Sequence, residues 1–444
     1  MEKDMTAGTP GKIIFNFTMP IFIGNIFQQF YNMADTVIVG KFVGNAALAA
    51  VGACGTLVFL IIGFLQGVTA GFTVVTAQHF GAGNMKAMKK SVASGAVLTG
   101  IVTVILTLLS MISMAKVLHL MNTPSDMYGE AYGYIMVICG GIVAQALYNY
   151  LASVLRALGD SKRPLYFLVI AAFLNIVLDL VFVIVFHWGV AGVAWATFLA
   201  QGAACILALF ALKKRMQSIP AEGEIELFSW GMLRRISTVA IPSILQQSFI
   251  SVGNLFIQSL VNSFGSSVIA GYSAAVKLNT FTITSLTTLG NGLSSFTAQN
   301  IGAGKADRVK KGFRAGLGMG LFVASVFLVI YWFFTEPVIH IFMEETGGLA
   351  METGVEFLKI VSPFYLVVMT KLIADGVLRG AGCMKQFMIA TFTDLILRVI
   401  LSYILAVPMG AAGIWLSWPI GWSIAAVLSI GFYLQGGWKK SGLV

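Results

Sequence analysis

The chain alternates long apolar runs with short polar breaks. About twelve such runs occur, near 13–35, 46–70, 91–115, 131–154, 165–187, 190–212, 236–263, 267–292, 313–335, 353–376, 386–408 and 411–434. Roughly 20 consecutive apolar residues cross a bilayer as a helix. The pattern therefore predicts an all-α polytopic membrane protein. The polar leader Met1–Lys12 is short and the first run is long enough to span. It is expected to stay as the first helix, with no cleaved signal peptide.

The polar positions inside these runs are periodic. In the first span Asn25, Gln28, Asn32 and Asp35 recur at helical spacing, and in the seventh so do Gln247, Ser251, Asn254 and Gln258. Each set falls on one helical face. Polar groups are costly against lipid, so these faces are expected to look inward, toward protein or a wet cavity. Interhelical hydrogen bonding alone would also produce such a stripe. Pro20 and Pro242, at matching places, are expected to bend the two helices.

The match between these spans is part of a longer repeat. Ala77-Gln-His-Phe-Gly-Ala-Gly83 returns 221 residues later as Ala298-Gln-Asn-Ile-Gly-Ala-Gly304. Leu155-Arg-Ala-Leu-Gly159 returns as Leu378-Arg-Gly-Ala-Gly382, and Gly189-Val-Ala-Gly192 as Gly410-Ala-Ala-Gly413. Four patches in the same order at a nearly constant shift imply duplication. Each half holds about six spans, so both copies enter the membrane from the same side as parallel repeats. The expected division is an N-lobe over 1–215, a charged linker over 216–235 and a C-lobe over 236–444.

Composition agrees with the pattern. The chain is 58% hydrophobic and only 10% charged, with a mean hydropathy of +0.88. Its net charge of +10 is no nucleic-acid signal, because the basic residues follow alternate loops. Lys162/Arg163, Lys213/Lys214/Arg215, Arg234/Arg235 and Lys439/Lys440 lie on one side, while Glu336, Glu344, Glu345 and Glu352 lie on the other. The positive-inside rule then puts both termini in the cytoplasm. Cys54, Cys139, Cys205 and Cys383 lack metal-ligand spacing and read as packing residues.

The candidate chemistry rests on ionisable residues within spans, which are functional hypotheses by default. Asp35 closes the first polar stripe. Asp179 sits one turn after Asn175, and Tyr134 and Thr197 can reach the same interior. Carboxylate, amide and hydroxyl oxygens suit a hard cation, and two carboxylates at low dielectric can share a proton in its place. A structural hydrogen-bonded knot is the bland alternative. The second half departs from this set, with Ile257, Arg398 and Ser402 standing where Asp35, Asn175 and Asp179 stand in the first. It carries instead Lys277, Lys371/Asp375 and Asp394/Arg398, read either as local ion pairs or as a charged network contacting substrate or gate. His79, His119, His187 and His340 are expected at the membrane interface. No nucleotide-binding loop, nucleophile motif or metal cluster is evident, so neither an enzyme nor an ATP-driven pump is expected.

These residues resemble a known family. Pro20 with Met33-Ala-Asp35-Thr, the Gln78/Gly81/Gly83 loop, Leu155-Arg156 with Gly159-Asp160, and Asn175-x-x-x-Asp179 are together similar to the multidrug and toxic compound extrusion (MATE) transporters, over essentially the whole chain. The resemblance implies the MATE/MOP-superfamily fold, with two six-helix lobes and alternating access. It implies export of bulky, often cationic, drugs or toxins in exchange for H⁺ or Na⁺. No cofactor beyond that ion is implied, and the expected unit is a monomer in the plasma membrane. Asp35, Tyr134, Asn175, Asp179 and Thr197 match the family's N-lobe cation site. A lipid-linked saccharide flippase of the same superfamily stays open, because Lys277, Lys371 and Arg398 would make a cavity basic. An intramembrane receptor or enzyme would leave the duplication unexplained.

Overall fold

The computed structural model describes residues 4–120, 125–220, 228–341 and 348–442. Glu344, Glu345 and the central part of the expected linker, 221–227, lie outside the described residues. Helices α1 (Pro10–Ile38), α2 (Asn45–Gly81), α3 (Met85–Leu120), α4 (Ser125–Ala157), α5 (Lys162–Leu180) and α6 (Gly189–Ser218) form the first half. The second comprises α7 (Trp230–Asn262), α8 (Ser266–Gly302), α9 (Ala306–Phe333), the short α10 (Thr335–His340), α11 (Leu349–Val361), α12 (Tyr365–Gly380), α13 (Met384–Met409) and α14 (Ala411–Gln435). A 3₁₀ turn joins α11 to α12, which together make one span, Leu349–Gly380.

Among the described residues, 11 helical segments are long and apolar enough to cross a membrane. Helix α8 has the length, at 37 residues, but recurrent Ser, Thr and Asn lower its hydropathy. Counting it by length gives the twelve expected. The chain is an integral membrane protein.

Duplication is visible in the packing of each half. In the first, α4 packs on α2, α3 and α6, and α5 packs on α6. In the second, α12 packs on α8, α9 and α14, and α13 packs on α14. The repeated heptapeptides end α2 and α8 in the same way. The N–H of Asn84 bonds to His79 O at 3.1 Å, and that of Lys305 to Asn300 O at 2.8 Å. Gly83 and Gly304 adopt φ of 72° and 70°. That left-handed residue, which a β-carbon would strain, terminates both helices with a Schellman turn.

By contacts the chain divides into two units. The first is Met1–Asp4 with Met19–Ile244, and the second is Met5–Thr18 with Leu245–Val444. Helices α1 and α7 therefore each change unit part-way along, beside Pro20 and Pro242, both of which lie inside continuous helices. Close approach holds each N-terminal half in its unit. A β-carbon on Gly71 would lie 2.6 Å from that of Ala240, and one on Gly292 would collide with Thr18 Oγ1. These are equivalent pairs in the two repeats. The partition thus differs from a cut at residues 215 and 236, because backbone contact assigns the half-helices.

Candidate cation and substrate site

The first unit gathers the residues singled out at the C-terminal ends of α1 and α5. Helix α1 brings Asp35 and passes into a π-turn at Val39–Val43, and α5 brings Asn175 and Asp179 just before another at Val181–Val185. Such turns are rare and cluster at functional sites. Both feed an aliphatic cluster, with Ile38, Val39, Val183, Val190 and Val193 buried together and Tyr134 packed against them. That cluster is an apolar floor beside the acids.

The two carboxyl groups are close electrostatic neighbours. Asp179 is 0% exposed, and neither of its oxygens meets a protein donor. With its nitrogen facing the carboxylate, the buried Asn175 carboxamide donates to Asp35 Oδ1 at 2.9 Å and accepts from the Thr197 N–H at 3.3 Å. The Thr197 hydroxyl is committed to Val193 O, at 3.1 Å. A bare buried carboxylate is expensive, and a second one beside it raises the cost. A shared proton or a small cation held between the two removes that cost. The five residues expected to form one cluster are thus all in one place: Asp35, Asn175, Asp179 and Thr197 interlock, and Tyr134 lies beside them.

Asp35 also lines an open cavity within this unit, together with Tyr31, Asn32, Tyr134, Thr197 and Gln201. Gln145 completes the polar lining, and Ile61, Leu65, Ile138 and Phe198 supply apolar wall. An apolar pocket with a few convergent polar groups is the usual form of a small-molecule site. Of the first stripe, Asn32 and Asp35 line this cavity, and Gln28 reaches the hydroxyl of Tyr31, as does Gln201. Asn25 is half-buried on the same helix. Sequence reasoning missed Tyr31, Gln145 and Gln201. Tyr31 lies one turn before Asp35, and Gln201 one turn after Thr197, so helical spacing from the chosen residues finds both.

The chain matches the MatE family twice, over residues 20–181 and again over 242–404. It belongs to the MATE family. The two matches begin at the paired prolines and coincide with the internal repeat. The "Probable multidrug resistance protein YpnP" of Bacillus subtilis (strain 168) is 30% identical over 444 residues, covering 99% of this chain and 98% of the relative. The "Probable multidrug resistance protein NorM" of Thermotoga maritima is 24% identical, covering 98% and 94%. A solved MATE transporter of the MOP superfamily in an outward-facing conformation superposes with a TM-score of 0.91, at 22% identity over 97% of each chain. That likeness shows the MATE fold.

The second half of this MATE protein uses its polar residues differently. Lys371 Nζ lies 2.7 Å from Asp375 Oδ2, and Ser429 Oγ donates to Asp375 Oδ1 at 2.6 Å. Arg398 Nη2 donates to both oxygens of Asp394, at 3.0 and 2.9 Å, and its guanidinium lies 4.5 Å from the Trp418 ring centroid. Each pair is buried and local to one helix. Lys277 is exposed on α8, and the two buried pairs each close within one helix. Of the second stripe, Ser251 Oγ donates to Gln247 O at 3.0 Å, Gln258 Nε2 donates to Asn262 Oδ1 at 2.8 Å, and Asn254 is exposed. Two members of that stripe are therefore bonded along their own helix. His79, expected at the interface, is 2% exposed with neither ring nitrogen partnered.

Proposed function

We propose that this protein is a secondary active exporter of bulky organic compounds, driven by H⁺ or Na⁺ moving inward. The observation that carries the reading is the buried Asp179 carboxylate, without a protein donor, facing Asp35 at the edge of the cavity. A site of this kind needs a cation when closed and can release it when opened. Antiport requires that dependence.

In the proposed cycle, the outward-facing protein takes a cation at Asp35 and Asp179. Helix α1 rearranges about Pro20, and the substrate leaves to the outside. The inward-facing protein releases the cation and binds substrate again. One elementary charge moving down 100 mV supplies about 2.3 kcal/mol, which adds to the ion gradient. The basic loops support cytoplasmic termini, and the same reading takes the protein as a monomer without a cofactor. The printed names of the relatives support drugs or toxins as substrates. The flippase alternative loses ground, because Lys371 and Arg398 are neutralised by buried acids.

The test is ethidium or norfloxacin transport in inverted vesicles, with the H⁺ and Na⁺ gradients collapsed separately. Transport should fail with one gradient or the other, and Asp35→Asn should abolish it at normal expression. Full transport by that variant sinks the reading. A lipid-linked saccharide bound in place of drugs would favour the flippase.

A further inference from the structure

The start of the chain is tied to the second elbow by a dense set of hydrogen bonds, all within the second unit. The Met5 N–H donates to Gln299 Oε1 at 3.2 Å, and its carbonyl accepts from Asn300 Nδ2 at 3.1 Å. Arg308 spends its whole guanidinium here. It donates through Nη2 to Met5 O at 3.2 Å, through Nη1 to Gly8 O at 2.9 Å, and through Nε to Asn300 Oδ1 at 3.0 Å. Lys305 Nζ donates to Thr6 O and Oγ1, at 2.9 and 3.2 Å. The Met5 side chain is 1% exposed. Gly8, at φ 89°, then turns the chain into α1.

This tie lies just before α1, the helix that carries Asp35 toward its C-terminal end. Helix α1 belongs to the second unit through Thr18 and to the first from Met19 onward. The hydrogen bonds described reach backbone groups of Met5, Thr6 and Gly8 and the Thr6 hydroxyl, so they fix the position of the chain. The first elbow lacks the key holder. His79 stands where Asn300 stands, and a neutral imidazole offers one donor and one acceptor where Asn300 donates twice and accepts once.

We infer that Gln299, Asn300, Lys305 and Arg308 are positioning residues for transport. They clamp residues 5–8 so that a change of cation at Asp35 is passed along α1 to the second unit. Without the clamp, the far end of α1 could move alone and the change would dissipate in a loose N-terminus. The inference rests on the export reading above.

The experiment compares the unmodified full chain with Arg308→Gln, Asn300→Ala and a chain lacking residues 2–8, purified and reconstituted. Drug binding is read by ethidium fluorescence in detergent, and export by proteoliposome transport. Binding should stay within about twofold while export falls roughly tenfold or more, the size of a coupling between sites. In the two point variants hydrogen exchange should rise in residues 4–12 but not in α8. Wild-type export rates in the shortened chain, or in both point variants, overturn the clamp. Equal loss of binding and export, even in the milder Arg308→Lys variant, overturns it in favour of a folding role. Failure of the unmodified chain to export would instead strike the function, and is seen separately.

Discussion

Asp179→Asn separates an ion-coupled site from a structural knot. The substitution keeps the shape of a side chain that is 0% exposed and removes one negative charge. The new carboxamide presents an N–H toward Asp35, which already accepts from Asn175 at 2.9 Å. It therefore supplies internally the donor that a proton or metal ion supplies in the native site. Two consequences follow. A ligand that binds only the folded state stabilises it by about 2.7 kcal/mol at a hundredfold excess over its Kd. Raising the coupling ion should therefore raise the melting temperature of the native protein by several degrees in detergent and leave the variant flat. Export should fall to background, since no cation is exchanged. The assays are thermal unfolding across a Na⁺ series and a pH series, and vesicle efflux on the same preparations. A variant that still exports drug, or still gains stability from the ion, would refute the reasoning. A variant that loses more than about 3 kcal/mol of stability would mark the pair as a structural knot.

Other sites give independent tests. Lys371→Met leaves Asp375 buried and still accepting from Ser429 but without its cation, and breaking such a pair should cost about 3–5 kcal/mol; adding Asp375→Leu should recover most of it, as read by thermal unfolding. Gly71→Ala places a β-carbon 2.6 Å from that of Ala240 and 2.8 Å from its backbone nitrogen, so it should destabilise by about 1–3 kcal/mol. Gly100→Ala meets nothing within 4 Å and should be neutral or stabilising by up to about 1 kcal/mol. Gln201→Leu removes a partner of Tyr31 from the cavity and should raise the KM for drug roughly 2–10-fold, the worth of one hydrogen bond; an unchanged KM would place the substrate elsewhere.

Much of the site was legible because helical periodicity in a membrane is a strong constraint. Asn175 and Asp179 share a face by spacing alone, and a carboxylate in a span must find a partner. Their meeting with Asp35, about 140 residues away in the chain, followed from the resemblance and not from spacing. Tyr31 and Gln201 follow by helical spacing once the cluster is known, whereas Gln145 carries no charge and repeats no motif, so only the cavity wall picks it out. The second half shows the same limit. The i, i+4 spacing of Lys371/Asp375 and Asp394/Arg398 allowed both ion pairs and a wider network. Ser429 and Trp418, brought from α14, are what hold the pairs where they are.

The sequence by itself determined that this is a duplicated helical membrane protein, because apolar length and a repeat at constant shift are local or self-referential signals. It also determined that the halves differ in charge at matched positions. Tertiary structure alone decided that Asp179 lacks a donor, that Lys371 and Arg398 are held in buried ion pairs, and that α1 and α7 each serve two units. Those outcomes depend on which helices approach each other and how closely. Gly71 against Ala240 and Gly292 against Thr18 set that approach, through contacts that no spacing along one chain encodes.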